Sequence, residues 1–79
     1  MTNIEKYTDV FIKTFDIKEE DTKGLQYTGI QAWDSIGHMS LIAALEETFD
    51  IMMDTDDIID LSSFEKGMEI LNEKYDVEF

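Results

Sequence analysis

Cysteine and proline are both missing from the 79-residue chain, and so is arginine, because all six basic residues are lysines. Without cysteine there are no disulfides to staple so small a domain and no thiolates for a zinc site. Histidine occurs once, at His38, which argues against an imidazole-built metal site, and no metal is expected. No apolar run approaches the roughly 20 residues that span a bilayer. The opening MTNIEKYTDV lacks the basic-then-apolar order of a secretory signal, so a soluble, cytoplasmic protein without a membrane span is expected. Residues 1–79 read as one domain and a monomer, near the lower size limit for an unstapled core. Packed apolar side chains must hold it together, and a 43% hydrophobic composition with five Phe, three Tyr and one Trp can supply them.

Positive charge is scarce as well. Nineteen acids stand against the six lysines, for a formal charge of −13. No lysine lies between Lys23 and Lys66, whereas Asp34, Glu46, Glu47, Asp50, Asp54, Asp56, Asp57, Asp60 and Glu65 all fall in that interval. Such a field repels phosphate backbones and excludes nucleic acid as a partner. It attracts and orients proteins with Lys/Arg patches. Taken singly, each of these acids is better explained as part of a solvated face, and only the block as a whole points equally to docking on a basic partner.

What is present is helical periodicity. Ile4, Tyr7, Phe11 and Phe15, with Val10 beside them, keep the 3–4 spacing of one helix face, and Thr2 or Asn3 can cap that helix. DIKEEDTKGLQYTGIQAW has no sustained period and reads as a long loop, anchored by Leu25, Tyr27, Ile30 and Trp33. A second helix starts at Asp34–Ser35, with Ile36, Met39, Ile42, Leu45 and Phe49 as its stripe and Leu41 widening it. A linker and one short helix around residues 55–60 follow. SSFEKGMEILNEKY opens with Ser62 three residues before Glu65, the spacing of a capping box, and carries Phe64, Met68, Leu71 and Tyr75 at helical period, with Ile70. No segment alternates as a strand does. The expected fold is all-α: a four-helix bundle with three main helices, a short third helix and a long first loop.

Ser35 invites two readings. Ser and Asp are favoured helix caps, because their oxygens accept from the free backbone N–H groups. Asp34 can take that role, which leaves the Ser35 hydroxyl in the first turn for other chemistry. A catalytic triad of Asp34, Ser35 and His38 fits poorly: Ser35 and His38 can share a face, but Asp34 points away from it, and a bundle this small has little room for an oxyanion hole. His38 is read as an ordinary residue on an exposed face. A calcium loop counted from Asp54 through DTDDIIDLSSFE has acids at positions 1, 3, 7 and 12, but Ile58 and Ile59 stand where a ligand and a glycine belong.

DSIGHMSLIAALEETFDI resembles the modification motif and second helix of the acyl carrier protein family, whose pattern is Asp-Ser-Leu/Ile, apolar residues at helical spacing, then ALEE and FD. The resemblance extends over nearly the whole chain. Ile4, Val10, Phe11 and Phe15 take first-helix core positions, Tyr27 that of a loop aromatic, and Met53, Ile58 and Leu61 those of the linker and short helix. It implies that Ser35 carries 4′-phosphopantetheine from coenzyme A, and that Asp34 caps the helix and orients the modifying enzyme. It also implies that the chain is not an enzyme but holds an acyl or aminoacyl group as a thioester. The implied partners are a phosphopantetheinyl transferase, an acyl- or aminoacyl-activating ligase, and an acyltransferase or synthase with a basic docking patch. Ile36, His38, Met39, Glu46 and Glu47 would form the docking face. A groove near Met39, Ile42, Ala43, Ile58 and Ile59 would shelter the cargo, although each of these equally fits plain core; Ile42, Leu45 and Leu61 are expected in the core. Trp33, Gly37 and Ser40 replace the small residue and the two acids usual in fatty-acid-synthesis carriers, and WDSxxH resembles the stand-alone carriers of specialised pathways. The alternative is an unmodified acidic helical module that binds a basic protein through the second helix.

Overall fold

Thr2 begins the first helix by reciprocal capping. In a computed structural model describing residues 1–79, its hydroxyl accepts from the Glu5 amide and its own amide donates to the Glu5 carboxylate at 2.8 Å. Helix α1 then runs Asn3–Phe15 and buries Tyr7, Val10, Phe11 and Phe15, whereas Ile4, expected on that face, lies at its exposed margin. Helix α2 spans Ser35–Phe49, α3 Thr55–Asp60 and α4 Phe64–Tyr75. The fold is thus a small four-helix bundle with a short third helix and a long first loop.

Three helices end alike, in Phe15-Asp16-Ile17, Phe49-Asp50-Ile51 and Tyr75-Asp76-Val77. Each Asp is left-handed, with φ of 54°, 54° and 57°, a region that Asp tolerates better than most residues. The amide of the following residue turns back onto the helix, as Ile17 does to the Ile12 carbonyl at 3.2 Å. The apolar side chain after each Asp packs on or in the core. An aromatic–Asp–branched triplet therefore works here as a stop signal without glycine or proline.

The loop between α1 and α2 holds a short 3-10 turn, Glu19–Asp21, and is anchored by Leu25 and Trp33, both buried. Ile30 is half-buried, but Tyr27, expected as an anchor, remains 40% exposed and meets Trp33 and His38 in T-shaped contacts. Backbone bonds from Tyr27 to the Ser62 carbonyl and from Phe64 to the Leu25 carbonyl, both 2.8 Å, pin the loop to the start of α4. That pairing shifts the α4 cap. Ser63, not Ser62, accepts from the Lys66 amide, and the Glu65 carboxylate reaches the Gly24 amide instead of closing a capping box.

The core centres on aromatic rings. Phe11 meets Phe64 at 4.9 Å and Trp33 at 5.5 Å between centroids, and Phe15 stacks on Trp33 at 5.3 Å. Tyr7 donates its buried hydroxyl to the Phe64 carbonyl at 2.7 Å. Gly67 lets that hydroxyl pass, since a β-carbon there would collide with it. Short α3 is tied to α4 by Asp57, an almost fully buried carboxylate that accepts from Lys74 Nζ at 2.7 Å and from the Tyr75 hydroxyl at 2.6 Å.

Candidate functional site

Asp34 closes the amino end of α2. Its Oδ1 accepts from the Gly37 amide at 2.8 Å, and its carbonyl accepts from the His38 amide at 2.7 Å. Ser35 is the first residue of the helix and is exposed, its hydroxyl left out of the cap. Neither the Ser35 nor the Ile36 amide takes part in the turn and cap bonds around it, so both free donors face the same end of the helix. Gly37 is required here, because a β-carbon would run into the Ala32 carbonyl oxygen and force the loop off the helix.

Beside Ser35 opens a cavity of about 380 Å3, lined by Tyr27, Ser35, His38, Met39, Ile58, Ile59, Leu61 and Ser62. It lies between the start of α2 and α3, with the loop at one edge. Of the five residues expected to form a groove, Met39, Ile58 and Ile59 line it. Ile42 is 2% exposed and packs in the core with Leu45 and Leu61, while Ala43 is exposed on the outer surface and lies outside the cavity. Tyr27 and Ser62 were not anticipated there. No periodicity signals them, since the loop–α4 backbone pairing is what carries them to the cavity.

The stripe expected along α2 mixes two faces. Leu41, Ile42 and Leu45 point inward, but Ile36 and Met39 are 77% and 55% exposed. At about 100° per residue, Ile36, Met39, Ala43 and Glu47 follow one another along the outward side. Glu46 is half-buried and accepts from the Met53 amide at 2.9 Å, bracing the α2–α3 linker. Glu46 and Glu47 lie about 16–18 Å along the axis from Ser35, at 1.5 Å per residue.

His38 is not on the exposed face. Its ring is half-buried, parallel to Trp33 within 14°, with Trp33 Nε1 2.9 Å from its Nδ1 and the Ile58 carbonyl 2.7 Å from its Nε2. His38 shares the i, i+3, i+7 spacing with Leu41 and Leu45, but Ile36, Met39 and Ala43 form an equally periodic apolar row, so spacing did not mark which side is buried. Both ring nitrogens are engaged away from Ser35, and Asp34 is committed to the cap, so the three residues do not form a relay. The acids of the calcium pattern do not converge either, because Asp57 is taken by Lys74 and Tyr75, and no group of three or more His, Asp or Glu side chains gathers as metal ligands would.

A larger groove of about 650 Å3 lies between α1 and residues 19–23, and none of the residues singled out at Ser35 lines it. No helix is long and apolar enough to cross a membrane. No family model matches the chain, and neither the curated proteins nor the solved structures contain a significant match.

Proposed function

We propose that the chain is a carrier, in which Ser35 Oγ is esterified to 4′-phosphopantetheine from coenzyme A and an acyl or aminoacyl group is held as a thioester on that arm. The observation that carries this reading is the division of roles at the start of α2. Asp34 caps the helix, and Ser35 beside it is exposed at the rim of the cavity formed with α3. A carrier needs an accessible hydroxyl, and a buried one would have ruled the reading out.

The site also suits a phosphodiester. Free amides at Ser35 and Ile36 and the positive end of a 15-residue helix favour an anion there. The chain has no thiol of its own, and the arm would supply the one that forms the thioester. In the loading step the Ser35 oxygen forms the new bond to the phosphorus nearest the pantetheine. The pyrophosphate bond breaks, 3′-phosphoadenosine 5′-phosphate leaves, and the serine proton passes to the transferase. In this reading the chain is not itself an enzyme, and it works with a transferase, an activating ligase and an acyltransferase or synthase that docks on the outward face of α2.

Intact mass after incubation with coenzyme A and a broad-range phosphopantetheinyl transferase tests the proposal. The expected result is a gain of one arm in the native chain and none in Ser35→Ala. No gain, or a gain that survives Ser35→Ala, rejects it.

A second reading needs least beyond the geometry. Ile36 and Met39, exposed on the outward face of α2 with Glu47 further along, suit an acidic module that binds a basic protein unmodified. Binding that is undiminished in Ser35→Ala and indifferent to coenzyme A favours it over the carrier.

A further inference from the structure

We infer that Trp33 and His38 form a latch that holds α3 against the start of α2, with His38 locked in one neutral tautomer, and that this latch sets the α3 wall of the cavity beside Ser35. The latch holds whether or not Ser35 is modified.

An indole nitrogen only donates a hydrogen bond. Trp33 Nε1 lies 2.9 Å from His38 Nδ1, so Nδ1 must present its lone pair. The single proton of the neutral ring then sits on Nε2, which lies 2.7 Å from the Ile58 carbonyl oxygen, a group that only accepts. One donor and one acceptor of fixed polarity thus select one form of the ring. Ile58 belongs to the last turn of α3, whose carbonyls find no partner further along the helix. His38 supplies that partner from α2 and so caps α3 from outside.

The latch has a firm base. Trp33 is fully buried and is held by Phe11 and Phe15, so its indole is a fixed point on the core. A helix of six residues has almost no stability of its own and takes its position from its ties. One set of polar ties runs to α4, through Asp57 and through the Asp54 amide on the Tyr75 hydroxyl, and the second is His38 to α2. Ile58, Ile59 and His38 all line the cavity, so loosening the second tie moves a wall of it while the first holds.

Two measurements test this. Long-range 1H–15N correlation of the single histidine at about pH 8 is expected to show a protonated Nε2 and an unprotonated Nδ1. An Nδ1–H form, or rapid averaging of the two, overturns the inference. His38→Phe keeps a flat ring but removes both bonds. Amides of α3 are expected to exchange about tenfold faster in His38→Phe, with α1 and α4 held within about twofold. Unchanged α3 exchange, or equal acceleration in every helix, overturns it. The tautomer measurement needs no variant to fold and is expected to read the same in Ser35→Ala, so it stands apart from the carrier test.

Discussion

Ser62 and Ser63 are chemically the same residue one position apart, yet only one closes a helix. Ser63 Oγ meets the Lys66 amide at 2.9 Å, while Ser62 is exposed at the cavity and gives its carbonyl to Tyr27. Ser63→Ala is expected to lower the stability by about 1 kcal/mol, the usual cost of losing an N-cap, and Ser62→Ala to change it by less than about 0.5 kcal/mol. Urea unfolding of the two variants side by side checks this, and equal losses would return the cap to Ser62. The capping-box spacing Ser62–Glu65 was legible but misleading. Two backbone bonds between the loop and the α4 start fix the phase of that turn, and neither is visible in a local pattern.

Helix ends and ties decide stability at the scale of elements. Asp50 ends α2 at φ 54°, placing a carboxylate at the negative end of the helix and a side chain in the left-handed region. Asp50→Gly relieves both costs and is expected to raise the stability by about 0.5–1 kcal/mol, read from the urea midpoint. The tie between α3 and α4 has a pH signature. Donation from Lys74, then from Tyr75, holds the Asp57 carboxyl below its ordinary value of 3.8. Because the folded-state value is the lower one, the tie contributes fully above the ordinary carboxylate range and is lost as the pH falls through the depressed value. The stability gap between the native chain and Asp57→Asn is therefore expected to be largest above about pH 5 and to shrink towards about pH 2, as urea titrations across that range would record. A gap independent of pH would show that Asp57 does not act through its charge.

Self-repulsion governs the electrostatics of the molecule as a whole. A charge of −13 on 79 residues destabilises the compact state, and only three salt bridges offset it, of which Lys13–Asp9 and Lys66–Glu69 lie within single helices. Raising sodium chloride from about 10 mM to about 150 mM shortens the screening length from about 30 Å to about 8 Å. The melting temperature is accordingly expected to rise by several degrees in a calorimetric scan, while association with any basic partner slows over the same range. A melting point that falls with salt would mean that the attractive pairs outweigh the repulsion.

Local pattern was enough to locate the helices and to count them. The 3–4 spacing is a property of neighbouring positions that survives without knowledge of the rest of the chain, as are the Thr2 and Asp34 caps, whereas the α4 cap is not. The same pattern set Asp34 ahead of Ser35 at the mouth of a helix, and composition made the surface acidic. Which side of α2 faces inward came only from the packed chain. That helix is apolar on both sides, so periodicity could not separate outward Ile36 and Met39 from inward Leu41 and Ile42. Packing likewise made His38 a cap for another helix, brought Tyr27 and Ser62 to the cavity and left Ala43 outside it. Each of these depends on which segments meet across the bundle, a long-range outcome of aromatic packing around Trp33 that no window of neighbouring residues contains.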